Sequence, residues 1–137
     1  VTKRTDRQLR IFVLDSEALS LAVRGDRAMI NRLGLAARGE AEVITSPLTL
    51  VEAYDGRTTE QRWDWVLSRV RVADIGRDEA RLARRLLADT GLHGHKYAID
   101  AVLAVVARAQ TGDVTVFTSD VDDLEKLVTD RIVVVKV

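Results

Sequence analysis

The sequence predicts an α/β fold: a three-layer α/β/α domain with a mostly parallel central sheet of about five strands. Short strand-like apolar runs alternate with segments of helical periodicity along the chain, the pattern of βαβ units. Several strand runs, Ile11 to Leu14 among them, are continuously apolar, as expected for strands covered by helices on both faces. No internal repeat, low-complexity tract or linker interrupts the 137 residues, a length sufficient for one domain with a sizeable core.

Val1 to Gln8 is polar and basic and is read as an N-terminal segment outside the fold. Ile11 to Leu14 is the first strand. Ala18, Leu19, Leu21 and Ala22 open a helical segment, and Met29, Ile30, Leu33 and Leu35 continue with helical spacing to a stop near Gly39. Glu42 to Thr45 is the second strand. Ser46 then supplies an N-cap and Pro47 the first helical position. That helix carries Leu48, Val51 and Glu52. Gln61 to Ser68 predicts a helix with Trp63, Val66 and Leu67 inward, Val70 to Ile75 a third strand, and Asp78 to Leu87 a helix. Gly91 and Gly94 mark a break. Tyr97 to Ala109 is apolar almost all round and reads as a buried helix. Val114 to Phe117 is the fourth strand, Val121 to Leu127 a short helix, and Ile132 to Val137 a β-branched final strand.

Composition excludes several chemistries. The chain has no cysteine, which removes disulfides, thiolate metal sites and cysteine nucleophiles and is compatible with a reducing cytoplasm. Basic and acidic residues number 21 each, so net charge gives no argument for nucleic-acid binding, although a local basic surface is still allowed. No secretory pattern and no apolar stretch of membrane-spanning length is present.

Four acids stand in or beside core-like sequence. Asp15 closes the first strand, Glu52 sits within Leu48 to Ala53, Asp100 interrupts the apolar stretch from Tyr97 to Ala109, and Asp120 follows Val114 to Ser119. A carboxylate in such surroundings is costly unless paired, hydrogen-bonded or bound to a cation. In open parallel sheets ligands collect beyond the carboxyl ends of the strands. Asp15 and Asp120 lie there directly, and Glu52 lies about two turns into the helix after the second strand. Asp100 joins them if its helix starts at that edge. Four acids meeting there suit a hard divalent metal.

These motifs resemble the PIN domain, a family of metal-dependent ribonucleases, over essentially Ile11 to Val137. The matching segments are Val13-Leu14-Asp15-Ser16, Leu50-Val51-Glu52, Ile99-Asp100-Ala101 and Thr118-Ser119-Asp120, in the family's order. His95 to Ala101 and Thr118 to Leu124 look most like toxins of VapBC-type toxin–antitoxin pairs. The resemblance implies an acidic quartet of Asp15, Glu52, Asp100 and Asp120 holding Mg2+ or Mn2+. Asp123 would be an accessory ligand acting through a water, and Ser16 and Ser119 would be neighbouring hydroxyls. It also implies RNA hydrolysis by a metal-activated water to a 5′-phosphate and a 3′-hydroxyl. A homodimer, a cognate antitoxin and a cytoplasmic location follow from the same likeness. The helical surfaces around Leu19, Leu21 and Met29, or around Trp63 and Val66, are the expected partner contacts. Glu17 departs from the pattern, as an extra acid where the family often has a small or apolar residue.

Each acid alone has a structural reading. Asp15 fits an N-cap, Asp100 a cap for a helix starting at Ala101, Asp120 a turn or cap, and Glu52 an amphipathic helix surface. A catalytically inactive PIN-like binding module is the competing function, and the complete quartet argues against it. A phosphate-receiving regulatory domain needs an acidic pair that the chain lacks before Asp15, and an aspartyl phosphatase needs an Asp-x-Asp motif that Asp15-Ser16-Glu17 does not supply. His93 and His95 read as loop residues, and Lys96 as an exposed lysine with phosphate contact as the sharper alternative. Arg81, Arg84 and Arg85, with Arg77 nearby, form a basic helix face, either solvated or in contact with RNA or antitoxin. Trp63 and Trp65 cannot share a helix face, so one is expected inside and the other outside.

Overall fold

A computed structural model of the chain describes residues 9–137, so the polar segment 1–8 lies outside the described residues. Five strands alternate with seven helices: β1 Arg10–Leu14, α1 Ser16–Arg24, α2 Arg27–Ala37, β2 Glu42–Thr45, α3 Pro47–Glu52, α4 Glu60–Leu67, β3 Arg71–Val72, α5 Arg77–Thr90, α6 Gly94–Arg108, β4 Asp113–Thr118, α7 Val121–Leu127 and β5 Val133–Lys136. The sheet order is β3-β2-β1-β4-β5, and each neighbouring pair is parallel. The sheet is therefore wholly parallel rather than mostly so. Its connections run outward from β1 in one direction and from β4 in the other, which makes the crevice between β1 and β4 the topological switch point.

The three layers follow from the two-residue alternation of β1. Phe12 and Leu14 face one side, packing with Leu19, Val23, Met29, Leu33, Trp63 and Val66 of α1, α2 and α4. Ile11 and Val13 face the other, against Leu103 and Val106 of α6 and Leu124 of α7. Phe12 meets Phe117 of β4 edge to face, with ring centroids 5.5 Å apart. Helix α5 packs outside α6 through Ala83, Leu86 and Leu87 against Ala101, Val102 and Val105. Because α6 is sandwiched between the sheet and α5, residues 101 to 107 are all buried, which explains its apolar periphery.

Sequence periodicity located every element, but several boundaries differ. The third strand is only Arg71–Val72, because only Ile44 and Thr45 of β2 pair with it. Helix α6 begins at Gly94, not Tyr97, since the chain re-enters the helix as soon as it has turned through Gly91, whose φ of 72° ends α5. Leu19, Met29 and Val66 are fully enclosed and Trp63 is buried, so the surfaces expected there for partners are core. The exposed apolar side chains beside the strand ends are instead Leu48, Val51 and Tyr54, of and just after α3. Trp63 packs inward as one of the two tryptophans had to, and Trp65 lies outward between Arg62 and Arg69. No helix among the described residues is long and apolar enough to cross a membrane.

Candidate metal centre

Asp15 is the residue at which the chain leaves β1 for α1, directly beside the switch point. Its Oδ1 accepts a hydrogen bond from Ala18 N at 2.8 Å, so the N-cap reading is correct. Its Oδ2 accepts from Ser119 N at 3.0 Å, across the crevice on the turn after β4. The buried carboxylate thus ties the two central strand ends together, and each oxygen keeps a second lone pair for a ligand.

Buried hydroxyls frame the same edge. Thr45 Oγ1 donates to Leu14 O at 2.7 Å, Ser46 caps α3 by accepting from Thr49 N at 3.0 Å, and Thr118 Oγ1 accepts from Asp120 N at 2.8 Å. Thr45, Ser46, Thr49 and Thr118 are fully enclosed. Of these, Ser46 is legible in the sequence as an N-cap and Thr118 as part of Thr118-Ser119-Asp120; for Thr45 the available signal was a hydroxyl residue at the last position of both β2 and β4. Neither the Ser16 nor the Ser119 hydroxyl makes a hydrogen bond among the described residues; Ser119 contributes its backbone N–H to Asp15 and its carbonyl to Lys136 Nζ at 3.1 Å.

Asp100 lies inside α6, on the seventh residue, and is not a cap for a helix starting at Ala101. It is half-buried where α6 passes the strand ends. Asp120 occupies the N-cap position of α7 but makes no capping hydrogen bond, which leaves its carboxylate free to face Asp100. Asp123, in the first turn of α7, completes the group: one carboxylate oxygen from each of Asp100, Asp120 and Asp123 lies within 4.8 Å of the others. Burial first, and then the charges of Asp120, Glu52, Asp123 and Asp15, push the Asp100 carboxyl up to about 6. Asp120 is also raised, by burial and then by Asp123 and Asp15, with Lys96 opposing. Glu52 is the last residue of the six-residue α3, one and a half turns in rather than two, and is exposed. Asp15 and Glu52 are outside the close trio, yet near enough for their charges to act on Asp100.

Other acids and bases sort away from this point. Glu17 pairs with Arg24 at 3.1 Å on the surface of α1. Asp122 is exposed. His93 is the residue before α6, His95 lies in its first turn, and both are exposed and outside the acidic trio. A hollow of about 740 Å³, lined by Leu9, Ala41 and Val70 among others, sits at the opposite, amino-terminal edge of the strands.

The donor set fits a hard cation. All three close donors are carboxylate oxygens, and separations up to 4.8 Å span the octahedral edges and diagonals of ligands about 2.1–2.4 Å from a shared ion. The electrostatics agree, because carboxylates that raise one another's proton affinity are those a divalent cation relieves.

No protein-family model and no curated protein matches the sequence. Solved structures do match in fold. VapBC2 from Rickettsia felis bound to a DNA fragment from its promoter aligns with a TM-score of 0.68 and 19% identity, over 93% of this chain and 98% of that one. DNA-bound VapBC from Salmonella typhimurium aligns at 0.61 and 18%, over 93% and 98%. PAE2754 from Pyrobaculum aerophilum aligns at 0.60 and 20%, over 93% and 92%. These likenesses establish a fold shared along nearly the whole length of each chain.

Proposed function

We propose that this chain, which has the VapC-like PIN fold, is a divalent-metal-dependent endoribonuclease and the toxin of a type II toxin–antitoxin pair. The observation that carries this reading is the convergence of Asp100, Asp120 and Asp123 at the β1/β4 switch point, with Asp15 and Glu52 close enough to act on Asp100. Asp100, Asp120 and Asp123 would hold Mg2+ or Mn2+, with Asp15 and Glu52 contributing directly or through water. Such an ion, when bound, supplies Lewis-acid stabilisation of phosphoryl charge and lowers the pKa of water.

The chain's own residues set the geometry. Asp15 is fixed by its two backbone donors, so its remaining lone pairs point in a constant direction. Asp100 forms the floor from the buried helix, and Asp120 stands at the exposed rim where RNA and water arrive. Hydrolysis adds a water oxygen to phosphorus and breaks the bond to O3′. The water's protons pass to solvent-side carboxylate and to the departing O3′, giving a 5′-phosphate and a 3′-hydroxyl. Exposed Leu48, Val51 and Tyr54, next to Glu52, offer apolar surface for an antitoxin or a second copy at the mouth of the site. The VapBC complexes among the similar structures support an antitoxin partner. A cytoplasmic location goes with this reading.

Incubation with structured and single-stranded RNAs in Mg2+ or Mn2+ tests it. We expect cleavage leaving 5′-phosphate ends, abolished by chelator and by Asp100→Asn. Cleavage that persists under both conditions would contradict the assignment, and RNA binding without any cleavage across a transcriptome-wide panel would favour the inactive binding module.

A further inference from the structure

We infer that the outer face of α5 is a phosphate-backbone surface that holds RNA while a neighbouring segment of the same strand enters the acidic site. This inference rests on the reading of the site as one that takes RNA. Arg77, Arg81, Arg84 and Arg85 fall within about a 100° arc of α5, by helix geometry. All four are exposed, and the arc lies opposite the side that Ala83, Leu86 and Leu87 pack against α6.

Four arginines elsewhere on the surface are paired. Arg24, Arg38, Arg57 and Arg71 each meet a nearby acid, at 3.1, 3.2, 3.6 and 2.7 Å. Among the described residues, no side chain pairs with or accepts a hydrogen bond from the four arginines of the arc. Unpaired guanidiniums held on one rigid helix suit phosphate oxygens, which they meet by bidentate, sequence-independent contacts.

Position connects this face to the acids. Helices α5 and α6 are joined by three residues, Gly91 to His93, and pack along their length. In such a hairpin residues equally distant from the turn lie level, which sets Arg84 and Arg85 beside the level of Asp100. A polyanion approaching Asp15, Glu52, Asp100, Asp120 and Asp123 meets repulsion that a bound cation offsets only in part. A chain with 21 basic and 21 acidic residues has no global positive field to draw it in. A basic stripe one helix away provides the attraction locally.

A protein partner fits this face less well. Interface cores are apolar and depleted in charge, whereas this arc holds four arginines around one small apolar residue, Ala88. Beyond Arg85 the margin carries the exposed acids Asp78 and Asp89 and then Leu82, 58% exposed.

Anisotropy of a fluorescent single-stranded RNA, titrated in chelator so that nothing is cleaved, tests the surface. The variants are Arg81→Gln/Arg84→Gln/Arg85→Gln, a control triple Arg24→Gln/Arg38→Gln/Arg57→Gln with the same charge loss, and Asp100→Asn. We expect the α5 triple to bind at least about tenfold more weakly at low salt, with the log–log salt slope reduced by about 2, the value for three lost single-strand phosphate contacts. The control triple should bind within twofold of wild type, and Asp100→Asn, which removes a charge that repels RNA, should bind more tightly. Equal binding by the α5 triple, equal loss in the control triple, or no RNA binding by wild type at low salt would each overturn the inference. So would an α5 triple that binds RNA normally but changes oligomeric state, which would mark a protein interface. Cleavage by wild type in Mn2+, scored separately, reports on the nuclease reading whichever way binding falls.

Discussion

Asp100 and Asp15 are both acids of the site, but they relate to stability in opposite ways. Asp100 has its carboxyl raised from 3.8 to about 6 by burial and by neighbouring acids, so the folded, ion-free protein disfavours its ionised form. The stability tied to its proton is complete below the ordinary carboxylate range near 4 and is lost as pH rises through about 6. In chelator, Asp100→Asn should therefore stabilise the protein at pH 7.5 by about 1 kcal/mol, discounted for partial exposure, and change little at pH 4. Urea denaturation at the two pH values checks this; destabilisation at pH 7.5 would count against the repulsive cluster. On the proposed function the same variant should lower cleavage by at least about 100-fold, since it would remove a proposed ligand rather than a ligand's partner. Asp15 is instead satisfied by Ala18 N and Ser119 N. Asp15→Ala should cost about 2 kcal/mol, one cap and one buried hydrogen bond, and Asp15→Asn about half of that because Asn keeps only one acceptor. Denaturation curves should show this loss with and without metal. The sequence made the four acids visible because each broke an apolar pattern. It could not reveal that Asp15 bonds to Ser119, 104 residues away, or that Asp123 would approach more closely than Glu52, because both depend on how the turns after β1 and β4 face each other.

Local chemistry fixed the elements, and their ends were decided by tertiary contacts. Ser46-Pro47 begins α3 where the residue types require, yet nothing local sets its end after Glu52. The alternation of Val70 to Ile75 reads as a strand, but only Arg71 and Val72 have partners on β2. The turn from α6 into β4 carries a tighter constraint. Gly112 has φ 111°, and a Cβ there would lie 2.5 Å from Leu9 O. Leu9 O accepts from Asp113 N at 2.9 Å, so this contact sets the first rung between β1 and β4. Gly112→Ala combines a disfavoured backbone with a backbone clash and should destabilise by at least about 2 kcal/mol, visible as a lower Tm. Since β1 and β4 carry Asp15 and Asp120 to the crevice, the variant should also weaken Mn2+ binding. Unchanged Tm and Mn2+ affinity would show that this register does not position the site.

At the scale of the molecule, the wholly parallel sheet places its switch point between β1 and β4, and the acids gather there from four separate stretches of chain. Segment order and motif type were legible in the sequence; the convergence needed the sheet order β3-β2-β1-β4-β5. A cation that binds only the folded chain should raise Tm in proportion to ln(1 + [metal]/Kd) and should do so less in Asp120→Asn. The shift should shrink as pH falls below about 6, where protons hold Asp100. The most direct measurement is anomalous diffraction from crystals soaked in Mn2+. A peak is expected about 2.1–2.4 Å from carboxylate oxygens of Asp100 and at least one of Asp120, Asp123 and Asp15. Mn2+ bound only elsewhere, with these carboxylates unliganded at neutral pH, would contradict it.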